Sequence, residues 1–476
     1  MRKMQELKTM NNRSTFTALA AAALLAGCSF IPTYERPAAP IPASYTETAG
    51  EVSAAVAPWQ DYFAEPRLRQ LIEAALTNNR DLRVAALNIE QARAAFQVRG
   101  ADLYPRVGLA ANASRSPAVT TGSLTNAFSA GLAIPAWEID FFGRIASLKE
   151  QALAQYLATE EGRNAVQTSL VAAVANGWLN LLADEELLDL SRQTLTSREE
   201  SVRLTKMRLD AGVVSELDFR QAQSLTQAAK ATLAQQTRQR ATDENALVLL
   251  LGQPLPQEVR ASLTGSRLAD APLMAALPAG LPSELLTRRP DIRQAEQQLI
   301  AANANIGAAR AAFFPNISLT AQAGTASGEL SGLFKSGSWG FSIAPSLLMP
   351  LFDAGRNQAN LDSSKAGRSI AVAQYEKAIQ TAFREVSDAL AGQATLGEQT
   401  EALHLQAQAE AARLQLSDLR YRNGVSSYLD LLDAQRSLFT AQQALVQVRL
   451  QQLQNQVTLY KALGGGTTIN ADSSRL

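Results

Sequence analysis

Tyr421-Arg422-Asn423-Gly424-Val425-Ser426-Ser427-Tyr428-Leu429-Asp430-Leu431-Leu432-Asp433-Ala434-Gln435-Arg436 is the stretch from which the rest of the chain can be read. A second copy of its centre lies 212 positions earlier. There Gly212-Val213-Val214-Ser215-Glu216-Leu217-Asp218 answers Gly424 to Asp430, and Ala222-Gln223 answers Ala434-Gln435. In each copy a Gly sits where one helix ends and a Ser three residues later can cap the next, between two long helical patterns. Each copy therefore reads as the tip of a helical hairpin. Two tips at matching places mark an internal two-fold duplication.

Outward from the tips the helical patterns are long. From Gly143 to about Ala211 no strong breaker interrupts the run, and Gly355 to Asn423 contains only Gly367, Gly392 and Gly397. At 1.5 Å per residue such a segment would make a rod of roughly 100 Å, which must pack along others to be stable. The segment after the second tip shows how: Leu431, Leu438, Leu445 and Leu459 fall on a seven-residue repeat, interleaved with Ala434, Ala441 and Val448. That is a coiled-coil seam in which Ala permits close approach.

Ahead of each long helix the period changes. Asp81 to Pro105 aligns without a gap to Asp291 to Pro315, and beyond each final Pro the spacing shifts from 3.6 to 2. Val107, Leu109 and Ala111 alternate with Gly108, Ala110 and Asn112; Ile317, Leu319 and Ala321 alternate with Ser318, Thr320 and Gln322. After a small, Gly-containing loop in each half a further alternating run follows. In the second half Trp339, Phe341, Ile343 and Leu347 share one face, opposite Gly340, Ser342, Ala344 and Ser346. An apolar face backed by tiny polar residues suits a strand between lipid and a watery lumen, although a sandwich hairpin would alternate too. Pro135 and Pro345 stand where each second strand is expected to bend towards the helix.

The chain begins with Arg2, Lys3, Lys8 and Arg13 against the single acid Glu6, then an apolar run from Ser14 to Ala26. A basic region, a short apolar region and small residues make a secretory signal over residues 1–27. Leu25-Ala26-Gly27-Cys28 resembles a bacterial lipobox, and Cys28 is the sole cysteine, so it forms no internal disulfide. Lipid on Cys28 would anchor the chain without spanning anything, and Ser29 after it resembles an outer-membrane address. An ordinary signal peptide with an incidental Cys is the plainer alternative. Residues 28–65 are Pro-rich and extended, and no later run of about 18 uninterrupted apolar residues exists, so a membrane crossing falls to strands.

Across 476 residues, 46% are apolar but only 6% aromatic, a mix that favours close-packed helices. The formal charge is zero, and loss of the leader leaves it near −3, with no clustered basic face for nucleic acid. His404, the single histidine, sits in a run of Ala, Leu and Gln, and Gly332-Leu333-Phe334-Lys335-Ser336 lacks the glycine a phosphate loop needs before its Lys. No catalytic or metal spacing appears, so neither an enzyme nor a bound cofactor beyond the Cys28 lipid is expected.

The domain reading is a first repeat over 66–282, with a β-hairpin at about 105–140, a helical hairpin at about 143–251 and its tip at 212–216. The second repeat covers 283–466, with a β-hairpin at about 315–350, a helical hairpin at about 355–463 and its tip at 424–428; a disordered tail is expected at 467–476. Four strands per chain cannot close in lipid, because open edges leave backbone groups unpaired, and the smallest barrels need about eight. Strands must then come from several chains.

The lipobox, Trp137-Glu138-Ile139-Asp140-Phe141-Phe142-Gly143-Arg144, Arg288-Arg289-Pro290-Asp291, Ala308-Ala309-Arg310-Ala311-Ala312-Phe313-Phe314-Pro315 and the two Gly-Val tips together resemble the TolC-like outer-membrane factors. More narrowly the chain is similar to the lipoprotein exit ducts of resistance-nodulation-division (RND) multidrug pumps. The resemblance implies a mainly α fold with a membrane β-barrel portion: a homotrimer in which a 12-stranded barrel continues into a coiled-coil α-barrel through the periplasm. It places a mixed belt near 183–195, 252–282, 393–402 and the C-terminal tail. It further implies an outer-membrane location, a periplasmic adaptor (membrane fusion protein) docking on Gly212, Val213, Gly424 and Val425, and an inner-membrane RND transporter as energy source. Carried over, Val213 and Leu429 would form the apolar ring of the resting aperture, and Tyr421, Asp433 and Arg436 its polar lock. Asp433 and Arg436 are i, i+3 on one helix turn, where a plain solvated pair is the alternative. Trp339, Phe341 and Ile343 would face lipid. The first tip carries Arg220 where the second has Leu432, which makes the tips unequal and suits two different adaptor sites. A type I protein secretion duct would share the fold, and a lipid-anchored periplasmic coiled-coil scaffold would share the helices without the pore.

Overall fold

The computed structural model describes residues 29–42, 44–45, 56–117, 122–271, 274, 277 and 282–466. The leader, Cys28 and the tail at 467–476 lie outside the described residues. In chain order the main elements are α1 (Pro66–Asn78), α2 (Arg80–Ala101), β1 (Gly108–Pro117), β2 (Leu124–Glu138), α3 (Arg144–Asp210), α4 (Glu216–Leu251), α5 (Gln257–Leu263), α6 (Pro290–Ala311), β3 (Asn316–Ser327), β4 (Trp339–Leu348), α7 (Arg356–Arg422) and α8 (Tyr428–Ala462). The duplication is visible in the lengths: α2 and α6 each have 22 residues, and α3 and α7 each have 67. Two compact units emerge, each drawing on both halves of the sequence. One comprises the described residues of Met1–Ala38, Asn88–Glu160 and Gln294–Glu376; the other those of Ala39–Leu87, Glu161–Arg293 and Lys377–Leu476.

The first unit holds a four-stranded antiparallel sheet in the order β1-β2-β3-β4, so the two hairpins are joined by pairing of β2 with β3. β1 and β4 have one ladder partner each among the described residues. The two prolines lie inside strands and not at their ends, a correction with a physical reason. Pro135 occupies a register shift between Ile134 and Trp137, where the ladder has no donor to lose. Pro345 faces Leu319 on the outermost strand. Ala326 N donates to Ser338 O at 2.9 Å, and hydrogen-bonded and non-hydrogen-bonded pairs alternate, so Leu319 and Pro345 form a non-hydrogen-bonded pair. The missing N–H of Pro345 therefore points away from β3. The segment from Phe30 lies along α6: the Phe30 ring stacks on Phe314 at 4.6 Å, and Asn303 Nδ2 donates to Pro32 O at 2.7 Å.

The second unit has the larger apolar core. Trp178 and Leu181 of α3, Leu247 and Leu251 of α4, Leu71 and Ile72 of α1, Leu263 of α5 and Tyr460 of α8 are almost fully buried in one cluster. Each such side chain contributes roughly 1.5–3 kcal/mol by leaving water. Trp178 Nε1 donates to Glu65 Oε2 at 2.8 Å, which satisfies the indole inside the core. A Cβ on Gly177 would meet Leu247 Cδ1 at 3.3 Å, so α3 and α4 approach closely there. One 18-residue window of α3 is apolar enough to pass for a membrane span, with mean hydropathy 1.2, but 56% of it is buried inside the fold. Its leucines, valines and Trp178 serve this core.

The seam of α8 departs from strict sevens. Leu431, Ala434, Ala441, Val448 and Leu459 are buried as the repeat requires, but Leu438 and Leu445 are only half-buried, and Val446, Leu453, Val457 and Tyr460 are buried as well. A straight helix drifts by about 20° per heptad, so the buried stripe widens to take in neighbouring positions while Val448 and Leu459 stay buried.

Candidate functional site

Two regions carry the features that sequence analysis singled out: the sheet and the hairpin tips. Directly paired residues of antiparallel strands share a face, so the registers sort the sheet's side chains. Ile343 pairs with Ala321 and Ala321 with Ile134; Phe341 pairs with Ala323, which pairs with Leu132, which pairs with Leu109. Trp137 pairs with Leu319, so the irregularity beside Pro135 keeps Ile134 and Trp137 on this same face. The opposite face carries Ser342, Gln322, Ala133 and Gly108 in one row and Gly340, Gly324, Gly131 and Ala110 in the next. A Cβ on Gly131 would fall 2.5 Å from the Cα of Gly324, so the two strands meet there through bare backbone. Trp339, Phe341 and Ile343 are 68%, 70% and 63% exposed, and Leu109 is 84% exposed. A soluble chain would not leave such a continuous apolar face uncovered.

Both tips are built by one backbone device. Gly212 and Gly424 have φ of +69° and +71°, the left-handed region that favours glycine. Gly212 N donates to Leu209 O at 2.9 Å and Val213 N to Arg208 O at 2.8 Å; Gly424 N and Val425 N repeat this to Tyr421 O and Arg420 O at 3.0 and 2.9 Å. These are Schellman caps that satisfy the last carbonyls of α3 and α7. The next helices open with capping boxes, Ser215 with Asp218 and Ser427 with Asp430, each exchanging two hydrogen bonds. Sequence analysis found the Ser caps; the Asp three residues later completes them.

Side chains make the tips unequal. Val213 and Val425 project at 69% and 65% exposure, and Leu429 at 55%. The counterpart of Leu429 in the first tip is Leu217, 65% exposed, which sequence analysis did not single out. Behind the second tip Tyr428, Leu431 and Leu432 bury against Ala222, with Leu414 and Tyr421 packed on them. The Tyr421 and Tyr428 rings lie 5.3 Å apart, and the Arg208 guanidinium sits 5.0 Å from the centre of Tyr421. Arg220 stays in solvent, paired with Glu216 at 3.1 Å, whereas Leu432 is buried.

Asp433 meets Arg436 at 3.3 Å, as the spacing suggested, and also Arg413 of α7, which sequence analysis missed. The hydrogen bond from Arg413, followed by that from Arg436, holds the Asp433 carboxyl below the usual carboxylate range. Arg413 could have been found by reflection: it and Asp433 each lie ten residues from Asn423 at the turn, so a hairpin brings them level. His404 lies 2.9 Å from Gln408, one turn along the same helix. Among the described residues no group of three or more His, Cys, Asp or Glu side chains is placed to hold a metal ion.

The family described as outer membrane efflux protein matches the chain twice, over residues 71–253 and 281–465. The toluene efflux pump outer membrane protein TtgC of Pseudomonas putida is 46% identical over 467 residues, covering 95% of this chain and 96% of that protein. The antibiotic efflux pump outer membrane protein ArpC of Pseudomonas putida matches to the same extent, 46% over 467 residues. Among solved structures, the open state of the Neisseria gonorrhoeae MtrE outer membrane channel superposes with a TM-score of 0.83 at 41% identity, over 92% of this chain and 98% of that one.

Proposed function

The chain belongs to the outer membrane efflux protein family and is an outer-membrane efflux channel, and on that premise we propose that three copies share one 12-stranded barrel as the passive exit duct of an RND pump. The observation that carries this reading is the sheet: four strands, one continuous apolar face, and two edges without a ladder partner among the described residues. In hydrocarbon each unpaired backbone group costs several kcal/mol, so β4 of one copy must pair with β1 of the next. Three such sheets close a ring whose apolar face meets lipid and whose small, polar face lines water.

The rest of the mechanism follows from that ring. Efflux needs no catalysis by the duct, since an inner-membrane transporter supplies the energy and an adaptor protein joins it to the channel. The adaptor docks at the exposed Gly-Val pairs of the tips, Gly212-Val213 and Gly424-Val425. At rest Val213 and Leu429 narrow the periplasmic end, while Tyr421, Asp433 and Arg436, joined by Arg413, hold the second hairpin in place. Relatives named for toluene and for antibiotics support small, largely apolar organic molecules as cargo. Cys28 carries the lipid anchor in addition to the barrel.

The test is the protein mass, by light scattering with detergent correction, of Cys28→Ala protein extracted from membranes. A detergent-requiring particle of three chains is expected. A water-soluble monomer would remove the shared barrel and leave a periplasmic helical scaffold.

A further inference from the structure

Moving 210 positions along the chain carries the first repeat onto the second: Leu103-Tyr104-Pro105 becomes Phe313-Phe314-Pro315, and Phe141-Phe142, just after β2, becomes Leu351-Phe352, just after β4. The two extra residues that make the offset 212 at the tips enter only afterwards, before Gly355. All these residues lie in the first unit. Within the chain β2 pairs with β3, and the segments beyond the ends of these two strands meet as well. Ile139 N donates to Ile317 O at 2.8 Å, one step past the pairing of Glu138 with Ser318. Just beyond, the Phe142 ring stacks on Phe314, with centroids 5.0 Å apart and planes 22° from parallel.

The counterparts of these two rings are left open. Leu351 and Phe352 are 91% and 90% exposed, more than any other large apolar side chain among the described residues. Tyr104 is 71% exposed, against 40% for its counterpart Phe314. Phe352 follows β4 and Tyr104 precedes β1, the two strands with a single ladder partner among the described residues. The register carries over with its faces intact. Moved by 210 positions, Glu138 opposite Ser318 becomes Leu348 opposite Gly108. Leu348 lies six residues along β4 from Ser342 and so on the same face, and Gly108 joins the Ser342 row through Ala133 and Gln322. Like faces therefore meet, as one continuous sheet requires.

We propose that Phe352 of one copy packs on Tyr104 of the next copy, repeating between chains the contact that Phe142 and Phe314 make within one. Met349 N then donates to Val107 O of that next copy, as Ile139 N does to Ile317 O. The contact rests on the shared barrel proposed above and extends it past the strands, to the junction where the sheet gives way to the helices. Two different surfaces meet in it, so it repeats from copy to copy until the ring closes. Stacked or tilted rings at about 4.5–7 Å add to what burial alone contributes.

The test uses the full chain in detergent, with p-benzoylphenylalanine in place of Phe352 and the particle mass measured first. Ultraviolet light is expected to give covalent dimers and trimers, with the bond in the tryptic peptide Gly100–Arg106 that holds Tyr104. In a particle of three chains, bonds confined to detergent or lipid, or to a different peptide of the neighbour, would overturn the proposal and leave the shared barrel standing. A particle of one chain would remove the barrel and this contact with it. A second measurement needs no light. Phe352→Lys and Tyr104→Glu should each cut the recovered trimer by roughly tenfold, and the two together should restore most of it, because the new charges meet across the interface. Undiminished trimer in both single variants, or a double variant no better than the worse single, would sink the idea.

Discussion

Arginine placed at Ile343 or at its neighbour Ser342 should have opposite consequences, because adjacent strand residues face opposite sides of the sheet. Ile343 is the fifth of the ten residues of β4, and its row continues through Ala321 to Ile134. The Ser342 row runs through Gln322 and Ala133 to Gly108, all small or polar. Arginine on the lipid face at the bilayer midplane costs about 2–4 kcal/mol. Losing the isoleucine from an apolar environment adds about 1.5–3 kcal/mol. Ile343→Arg should therefore destabilise the inserted sheet by roughly 4–7 kcal/mol per chain, more than two orders of magnitude in the folding equilibrium, and by more in a closed assembly of several copies. Ser342→Arg meets water and small neighbours and carries none of this cost; it should change ion conductance and leave insertion intact.

The assays are the amount of folded protein recovered from outer membranes and denaturant unfolding after reconstitution into lipid vesicles. Near-normal recovery of Ser342→Arg with near-complete loss of Ile343→Arg is the expected pattern. Equal recovery of the two, or the reverse ranking, would refute the assignment of faces and with it the barrel.

Four further outcomes follow. Asp433→Ala should raise the resting conductance in planar bilayers by freeing Arg413 and Arg436, and an unchanged conductance would count against the latch. Because Arg413 and then Arg436 depress the Asp433 pKa, the latch is present above the unfolded carboxylate value and is lost as pH falls through the lower folded value; conductance should stay low from neutral to mildly acid pH and rise only in stronger acid. Asp184 is the reverse case: burial, and then a hydrogen bond with Asp243, push it up to about 7, so the folded chain binds the extra proton and stability declines as pH rises from the ordinary carboxylate range through neutrality. Asp184→Asn should flatten that profile and raise the thermal midpoint in mildly alkaline buffer; a parent chain more stable in alkali than in mild acid would contradict it. Gly252 and Gly212 are both left-handed, but a Cβ on Gly252 would fall 2.4 Å from Asn78 O whereas Gly212 is open. Both alanine variants carry about 1–2 kcal/mol of backbone strain, and Gly252→Ala should lower the thermal midpoint clearly further, which equal shifts would disprove.

What was legible in the sequence is what is local. Gly424 followed by Ser427 and Asp430 specifies a turn and a cap within seven residues, and Trp339, Phe341 and Ile343 alternate within five. The features that escaped depend on partners. Pro345 reads as a strand end until its non-hydrogen-bonded pairing with Leu319 shows that its absent N–H costs the β3–β4 ladder nothing. Leu445 reads as a seam residue, yet it is only half-buried while its neighbour Val446 is buried. Arg413 carries no short-range signal at all. It becomes visible only when the chain is folded back at its tip, level with Asp433.

That folding back also gives two tips with one backbone different side-chain contacts. Identical Schellman caps and capping boxes fix the path of the chain at Gly212 and Gly424, so any difference in stiffness has to come from side chains. At the second tip Leu432 turns inward to join Tyr428, Leu431 and Ala222, and Asp433 ties α8 to α7 through Arg413. At the first, Arg220 satisfies itself with Glu216 and Gln223 on its own helix and ties α4 to nothing. The contacts of the second tip thus reach across to Ala222 of α4, whereas Arg220 at the first tip reaches nothing beyond its own helix.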